Sequence, residues 1–262
     1  VMGHSLGEII AATVAGVFTP ADAALLVTAR AKAVETLDEG AMLAVLLPED
    51  RVRSLITAEL SVAAVNTPSL CVVAGPVDDV VRLQRELERT EVACQRLAAR
   101  HAFHSTQLNQ LTDQLDAVIA GLDLRPPRIP VVSNISGTWL TAAEATDPRY
   151  WTRQLTETVR FDAGLRTLLA HHRTLVEVGP GRTLASFVSG TRIGTTVVTT
   201  LPPRHYHASA TTTYEAALRQ LSAETYDKSG QRVDGLAFQD RLGADIQTEP
   251  SAQPSGDLNR QQ

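Results

Sequence analysis

Gly3-His4-Ser5-Leu6-Gly7 has the form G-x-S-x-G, the nucleophile elbow in which a strand enters, turns sharply at a serine and leaves as a helix. Glycines on both sides of the serine allow a backbone conformation that a Cβ would obstruct. The turn lifts the Ser5 hydroxyl clear of the sheet. It also sets the Leu6 amide at a helix N-terminus, where it can face a developing oxyanion. Glu8, Ile9, Ile10 and the small-residue run from Ala11 to Ala15 supply that helix. Only Val1 and Met2 precede Gly3, fewer residues than a buried strand usually needs. The chain therefore reads as a piece of something longer.

Outward from the elbow, Thr19-Pro20-Ala21-Asp22 reads as a helix start, with Thr19 as N-cap, Pro20 in the first turn and Asp22 at the positive end of the dipole. This helix is expected to run to about Leu37. From Ala41 to Leu97 the pattern becomes strand (42–47), helix (48–60), strand (61–66), turn (67–69), strand (70–74), helix (77–90) and strand (92–97). That βαββαβ order is the order of a ferredoxin-like unit. Leu108, Leu111, Leu115, Val118, Ile119 and Leu122 recur at helical spacing and predict one helix over 107–122. A strand over 129–133, helices from 148 and 159, strands over 174–178 and 195–201, and a helix over 214–223 complete the reading. Past Asp240 the composition offers little to bury, and disorder is expected.

The 262 residues carry a net charge of -5 and 44% hydrophobic residues, enough for one sizeable domain and unsuited to a nucleic-acid partner. Cys71 and Cys94 form neither a disulfide framework nor a metal site, in keeping with a cytoplasmic protein. No run approaches the roughly 18 apolar residues of a membrane span.

A serine needs a base. Arg100-His101-Ala102-Phe103-His104-Ser105, at the junction after the βαββαβ unit, offers the best candidates. His171, His172, His205 and His207 read as solvated.

Six motifs now stand in order: G-H-S-L-G-E (3–8), T-A-R (28–30), H-A-F-H-S (101–105), N-I-S-G (134–137), Y-W (150–151) and E-V-G-P-G (177–181). Together they resemble the acyltransferase domain of modular type I polyketide synthases, a relative of bacterial malonyl-CoA:acyl-carrier-protein transacylases. The resemblance implies an α/β fold, a hydrolase-like parallel-sheet core over 1–40 and 98–201, with a ferredoxin-like α+β subdomain inserted over 41–97. A post-domain linker would follow over 202–240 and a disordered tail over 241–262. It implies Ser5 as nucleophile, His104 as general base and Arg30 as the partner of the extender unit's free carboxylate, a pairing that suits a planar guanidinium. Leu6 would give half of the oxyanion hole. The Gln154 main-chain carbonyl, rather than an acidic residue, would orient His104. His101 and Phe103 would line the substrate pocket, and Phe103 with Leu6 points to malonyl over methylmalonyl. One methyl is worth only about 1–3 kcal/mol, so the expectation is preference rather than exclusion.

The resemblance further implies malonyl-CoA as substrate, no permanently bound cofactor, and an acyl carrier protein bearing phosphopantetheine as acceptor. A ketosynthase and other synthase domains would be partners. The family's N-terminal G-Q-G-x-Q segment, with the second oxyanion amide, has no counterpart in these residues, and one such donor is worth about 10²–10³ in rate. The chain alone is therefore expected to be poorly active. Two other readings stay open: a serine esterase or thioesterase sharing the elbow, and an inactive scaffold remnant of a synthase. An ordinary esterase of this type would carry an acidic partner and a late histidine, whereas His104 comes early.

Overall fold

The computed structural model describes residues 1–172, 174–188, 194–203 and 209–225. The expected tail over 241–262, most of the expected linker over 202–240, and His205 and His207 lie outside the described residues. Two compact units are present. One comprises Val1–Leu175 with Thr183–Val197, the other Val176–Arg182 with the described residues from Val198 onward.

In the first unit α1 (Leu6–Val14) begins directly after Ser5. Next comes α2 (Pro20–Val34), capped as the sequence predicts: Thr19 Oγ1 accepts from the Asp22 N–H at 3.1 Å, with Pro20 in the first turn. It stops three residues before Leu37. The chain then runs through β1 (Gly40–Val45), α3 (Glu49–Leu55), β2 (Ser61–Thr67), β3 (Leu70–Pro76), α4 (Val77–Arg89) and β4 (Cys94–Arg96). The strands form one antiparallel sheet in the order β2-β3-β1-β4, with Leu43 opposite Val73 and Val45 opposite Cys71.

Period-two alternation gives this sheet two apolar faces. Ala41, Leu43, Val45, Cys71 and Val73 pack with Val52 of α3 and with Val80, Leu83 and Leu87 of α4. The opposite face is made of smaller residues, Ala63, Ala64, Val72 and Ala74. It meets Ala102, Val159, Phe161 and Met2 beside the elbow.

The helix predicted over 107–122 is divided into a 3₁₀ segment (Thr106–Leu111) and α5 (Thr112–Ile119). Leu108 and Leu111, three apart, are both buried, as i and i+3 neighbours are on a 3₁₀ turn and on an α-turn alike. Then follow α6 (Ala142–Ala145), α7 (Pro148–Thr156) and α8 (Phe161–His171). Trp151 of α7 is 1% exposed, packs edge-on to Phe18 with ring centres 4.6 Å apart, and donates Nε1–H to the Ala145 carbonyl at 3.0 Å. It anchors a core with Ile9, Leu26, Leu108, Leu115 and Ile119.

The strand predicted over 129–133 is reduced to a single bridge between Val132 and Trp139. A ladder needs successive partners, and here few are in register. Even so, Val1 donates to the Pro130 carbonyl at 2.7 Å and its own carbonyl accepts from Val132 at 3.0 Å. That is the slanted bonding of parallel neighbours. Ala64 and Val159 form a second parallel bridge.

The second unit holds most of β5 (Thr174–Pro180) and β6 (Thr196–Leu201), which pair with each other, and α10 (Ala210–Thr225). α9 (Thr183–Val188) belongs to the first unit.

The two elbow glycines differ in purpose. A Cβ on Gly3 would sit 1.9 Å from the backbone of Gly7, whereas one on Gly7 would meet nothing within 4 Å. Gly3 is therefore required by close approach and Gly7 is not. Gly3→Ala is expected to destabilise the protein by about 3 kcal/mol through overpacking against fixed backbone, while Gly7→Ala is expected to be neutral or slightly stabilising. Denaturant midpoints of the two variants check this difference.

Candidate functional site

Ser5 sits at the N-terminus of α1 with φ 54° and ψ −114°, a conformation L residues rarely adopt and one that surroundings must impose. The imposing residue is Asn134. Its Oδ1 accepts the Ser5 N–H at 2.7 Å and its Nδ2 donates to the Gly3 carbonyl at 2.7 Å. Its own backbone N–H donates to Glu8 Oε1 at 2.9 Å. One side chain thus spans the turn on both sides of His4. Among the described residues no acceptor takes the Leu6 N–H, which points from the free end of the helix.

Ser5 Oγ lies 2.6 Å from His104 Nε2. His104 also has a positive φ, 58°, and is 4% exposed. Its Nδ1 lies 3.0 Å from the Glu157 carbonyl. A carbonyl can only accept, so Nδ1 carries the proton and Nε2 is left free to accept from the serine. Burial, reinforced by the Arg30 charge, depresses the His104 pKa to about 3 despite the opposing bond to Glu157. The imidazole is consequently a neutral base near neutral pH.

The orienting carbonyl corrects one expectation: it belongs to Glu157, not Gln154. Gln154 lies within α7, where backbone carbonyls are directed along the helix. Glu157 follows the helix end with an extended backbone, which leaves its carbonyl free to face His104. Gln154 works through its side chain instead. Its Oε1 accepts from Arg30 Nη1 at 2.9 Å and its Nε2 donates to the Ser5 carbonyl at 2.8 Å.

Arg30, on α2, is 8% exposed. Burial lowers its pKa to about 10, partly offset by Glu8, so it stays protonated. Among the described residues it has no carboxylate within salt-bridge distance and no second hydrogen bond, and none of its nitrogens is both sealed from solvent and unpartnered. The free guanidinium donors therefore keep an open side. Glu8, 0% exposed, is pushed up to about 7 by burial, while bonds to its Oε1 from Tyr150 and the Asn134 backbone pull it down; its Oε2 is buried without a hydrogen-bond partner. Tyr150 Oη lies 2.5 Å from Glu8 Oε1 and 2.6 Å from Ser133 Oγ.

The structure thus brings Ser5, His104, Arg30 and Gln154 together. His101 and Phe103 meet edge-on, ring centres 6.3 Å apart, without a hydrogen bond to the other four. The Leu6 side chain is 49% exposed, on one face of α1 with Ile10 and Val14. Asn134, Glu8 and Tyr150 stand in the sequence motifs without an assigned role, as does His4, which bonds Asn66 Oδ1 at 2.8 Å and packs on Phe161. One signal was available: Glu8 is the sole charge in the nine residues of α1, and a carboxylate on an otherwise apolar helix needs buried partners. Asn134 gave no such signal, because the contact spans 129 residues. Among the described residues no cluster of His, Cys, Asp or Glu could hold a metal, and no helix is long and apolar enough to cross a membrane.

This arrangement can deprotonate a serine, stabilise an oxyanion and hold an anion nearby. Comparison with known proteins bears on which chemistry that is. The model of the acyl transferase domain family matches residues 1–223. The chain is 40% identical over 190 residues, 71% of its length and 9% of the relative's, to the spectinabilin polyketide synthase system protein NorB of Streptomyces orinoci. Among solved structures, the acyl transferase domain of SpnD in complex with 2-(pent-4-yn-1-yl)malonyl superposes with a TM-score of 0.81 at 38% identity, covering 85% of this chain and 55% of that one. An acyl-carrier-protein S-malonyltransferase from Burkholderia pseudomallei 1710b gives 0.73 at 27% identity, covering 84% and 72%. This chain thus spans about a tenth of the curated relative and about half of the SpnD domain. With a strained, base-paired serine in the elbow and this match over most of its length, the chain belongs to the acyl transferase domain family, whose relatives are polyketide synthase acyltransferases and malonyl transferases.

Proposed function

We propose that the chain loads malonyl from malonyl-CoA onto the phosphopantetheine thiol of an acyl carrier protein during polyketide assembly, through an ester on Ser5. The observation that carries this reading is the buried, unneutralised Arg30 beside the Ser5–His104 pair. A site for neutral esters has no use for a desolvated guanidinium, whereas a diacid presents a carboxylate that it binds through two parallel hydrogen bonds. This weighs against the esterase reading. The matched malonyltransferase and malonyl-bound domain are of the same chemical class.

Ser5 Oγ attacks the thioester carbonyl while His104 Nε2 takes its proton. The oxyanion forms opposite the Leu6 N–H at the helix N-terminus, and Arg30 holds the far carboxylate. Collapse breaks the C–S bond, and the departing thiolate receives the proton from His104. The carrier thiol then repeats the sequence in reverse: His104 takes the thiol proton, sulfur attacks the ester, and Ser5 Oγ leaves with that proton. Glu157 holds the imidazole tautomer throughout. Both half-reactions balance without a cofactor. Phe103 and His101 would line the acyl pocket and disfavour a larger α-substituent.

The reading extends to the fold. The order β2-β3-β1-β4 with helices after β1 and β3 supports a ferredoxin-like subdomain over 41–97. The parallel contacts of Val1 with Pro130 and Val132, and of Ala64 with Val159, support a hydrolase-like parallel core. A ketosynthase and other synthase domains would accompany it in the cytoplasm.

Malonyl-CoA is expected to add one malonyl mass to the Ser5 peptide of the full natural polypeptide, and a carrier-protein thiol is expected to remove it. Absence of the adduct, or an equal adduct on Ser5→Ala, contradicts the reading. The pH profile is a second check. With the His104 pKa near 3, lowering the pH from 8 to 5 leaves the base unprotonated and the adduct rate shows no step at the usual imidazole value. A step near pH 6.5 that persists in Glu8→Gln contradicts this assignment; one that disappears there belongs to Glu8.

A further inference from the structure

Resting on that reading, we propose that the Gln154 side chain is a positioning residue that makes the site selective for a diacid acyl group, by holding Arg30 at a fixed span from the nucleophile without neutralising it. Gln154 is 1% exposed, and both ends of its carboxamide are used. Oε1 meets Arg30 Nη1 at 2.9 Å and Nε2 meets the Ser5 carbonyl at 2.8 Å. The orientation is unambiguous, since the flipped amide would set donor against guanidinium and carbonyl against carbonyl. A single locked side chain thereby joins the peptide of the nucleophile to the cation.

Two consequences follow from chemistry. A malonyl group must present its thioester carbonyl to Ser5 and its carboxylate to Arg30 at once, so the strut defines the distance that the acyl group spans. The acceptor at position 154 is also neutral. A buried guanidinium needs an acceptor to be tolerated, and a carboxylate would be the stronger one. It would also cancel the charge that an incoming carboxylate requires. The amide satisfies one donor and leaves the positive charge for the ligand, with Glu8 and His104 the ionisable groups whose charge interacts with it.

The test is competition between equal malonyl-CoA and acetyl-CoA in the full natural polypeptide at fixed pH, read as the ratio of the two masses on the Ser5 peptide. Gln154→Glu, which pairs internally with Arg30, and Gln154→Met, which keeps the volume but drops both bonds, are compared with the unaltered protein. The malonyl-to-acetyl ratio is expected to fall at least about tenfold in each, and furthest in Gln154→Glu. A purely structural role for Gln154 would lower both adducts together and leave the ratio unmoved, and a ratio within about twofold of the parent in a folded variant overturns the proposal. Should Gln154→Glu fail to fold, the ratio in Gln154→Met decides. Failure of the functional reading is separate: it would appear as no malonyl adduct on the unaltered protein.

Discussion

Asn134 holds Ser5 in a backbone conformation that the serine would not adopt alone, and the site is arranged around that restraint. With φ 54° and ψ −114°, Ser5 lies where strain of about 1–3 kcal/mol is usual. The amide of Asn134 counters it by pairing the Gly3 carbonyl and the Ser5 N–H, two backbone groups that the sharp turn leaves without regular partners. Asn134 is in turn held by its backbone, which donates to Glu8 and accepts from Arg160. The elbow, the first turn of α1, the residue before α8 and the loop at 133–137 are therefore joined by one set of hydrogen bonds.

From that restraint the electrostatics follow. Fixing Ser5 sets its hydroxyl against His104, which is strained in the same sense and made a neutral base by its surroundings. Here Arg30 has two effects at once. Its charge offers a binding point for an anion, and it discourages protonation of the nearby imidazole. Glu8 supplies the compensating negative potential without closing an ion pair on Arg30. Burying four polar or ionisable side chains in one place is costly unless each is bonded, and the bonds from Tyr150, Gln154, Glu157 and Asn134 satisfy much of that requirement.

Local signals are legible in the sequence. The elbow, the Thr19-Pro20 helix start and the βαββαβ succession each depend on residues within a few positions of one another, and the elements follow in the expected order, although the helix expected over 48–60 ends at Leu55, where Ile56 turns extended, and the strand expected over 92–97 is confined to Cys94–Arg96. What escaped reading depends on distance along the chain. The Glu157 carbonyl replaces Gln154 because a helix end, invisible in a run such as Arg153-Gln154-Leu155-Thr156-Glu157, decides which carbonyl is free. Asn134 is a turn residue by composition, and its partners at Gly3 and Ser5 become neighbours only on folding. The 3₁₀ opening of the helix at 107–122 buries the same leucines that a continuous α-helix would, so the apolar period does not distinguish the two.

Serine reactivity here depends on a backbone held in place by Asn134, with the base already poised. The most direct measurement is the rate at which a fluorophosphonate labels Ser5 in Asn134→Ala, followed beside the thermal midpoint. Displacement of the elbow by a fraction of an ångström to an ångström is expected to slow labelling by about 10²-fold in protein that still unfolds cooperatively. Labelling at the unaltered rate in such protein would contradict the account.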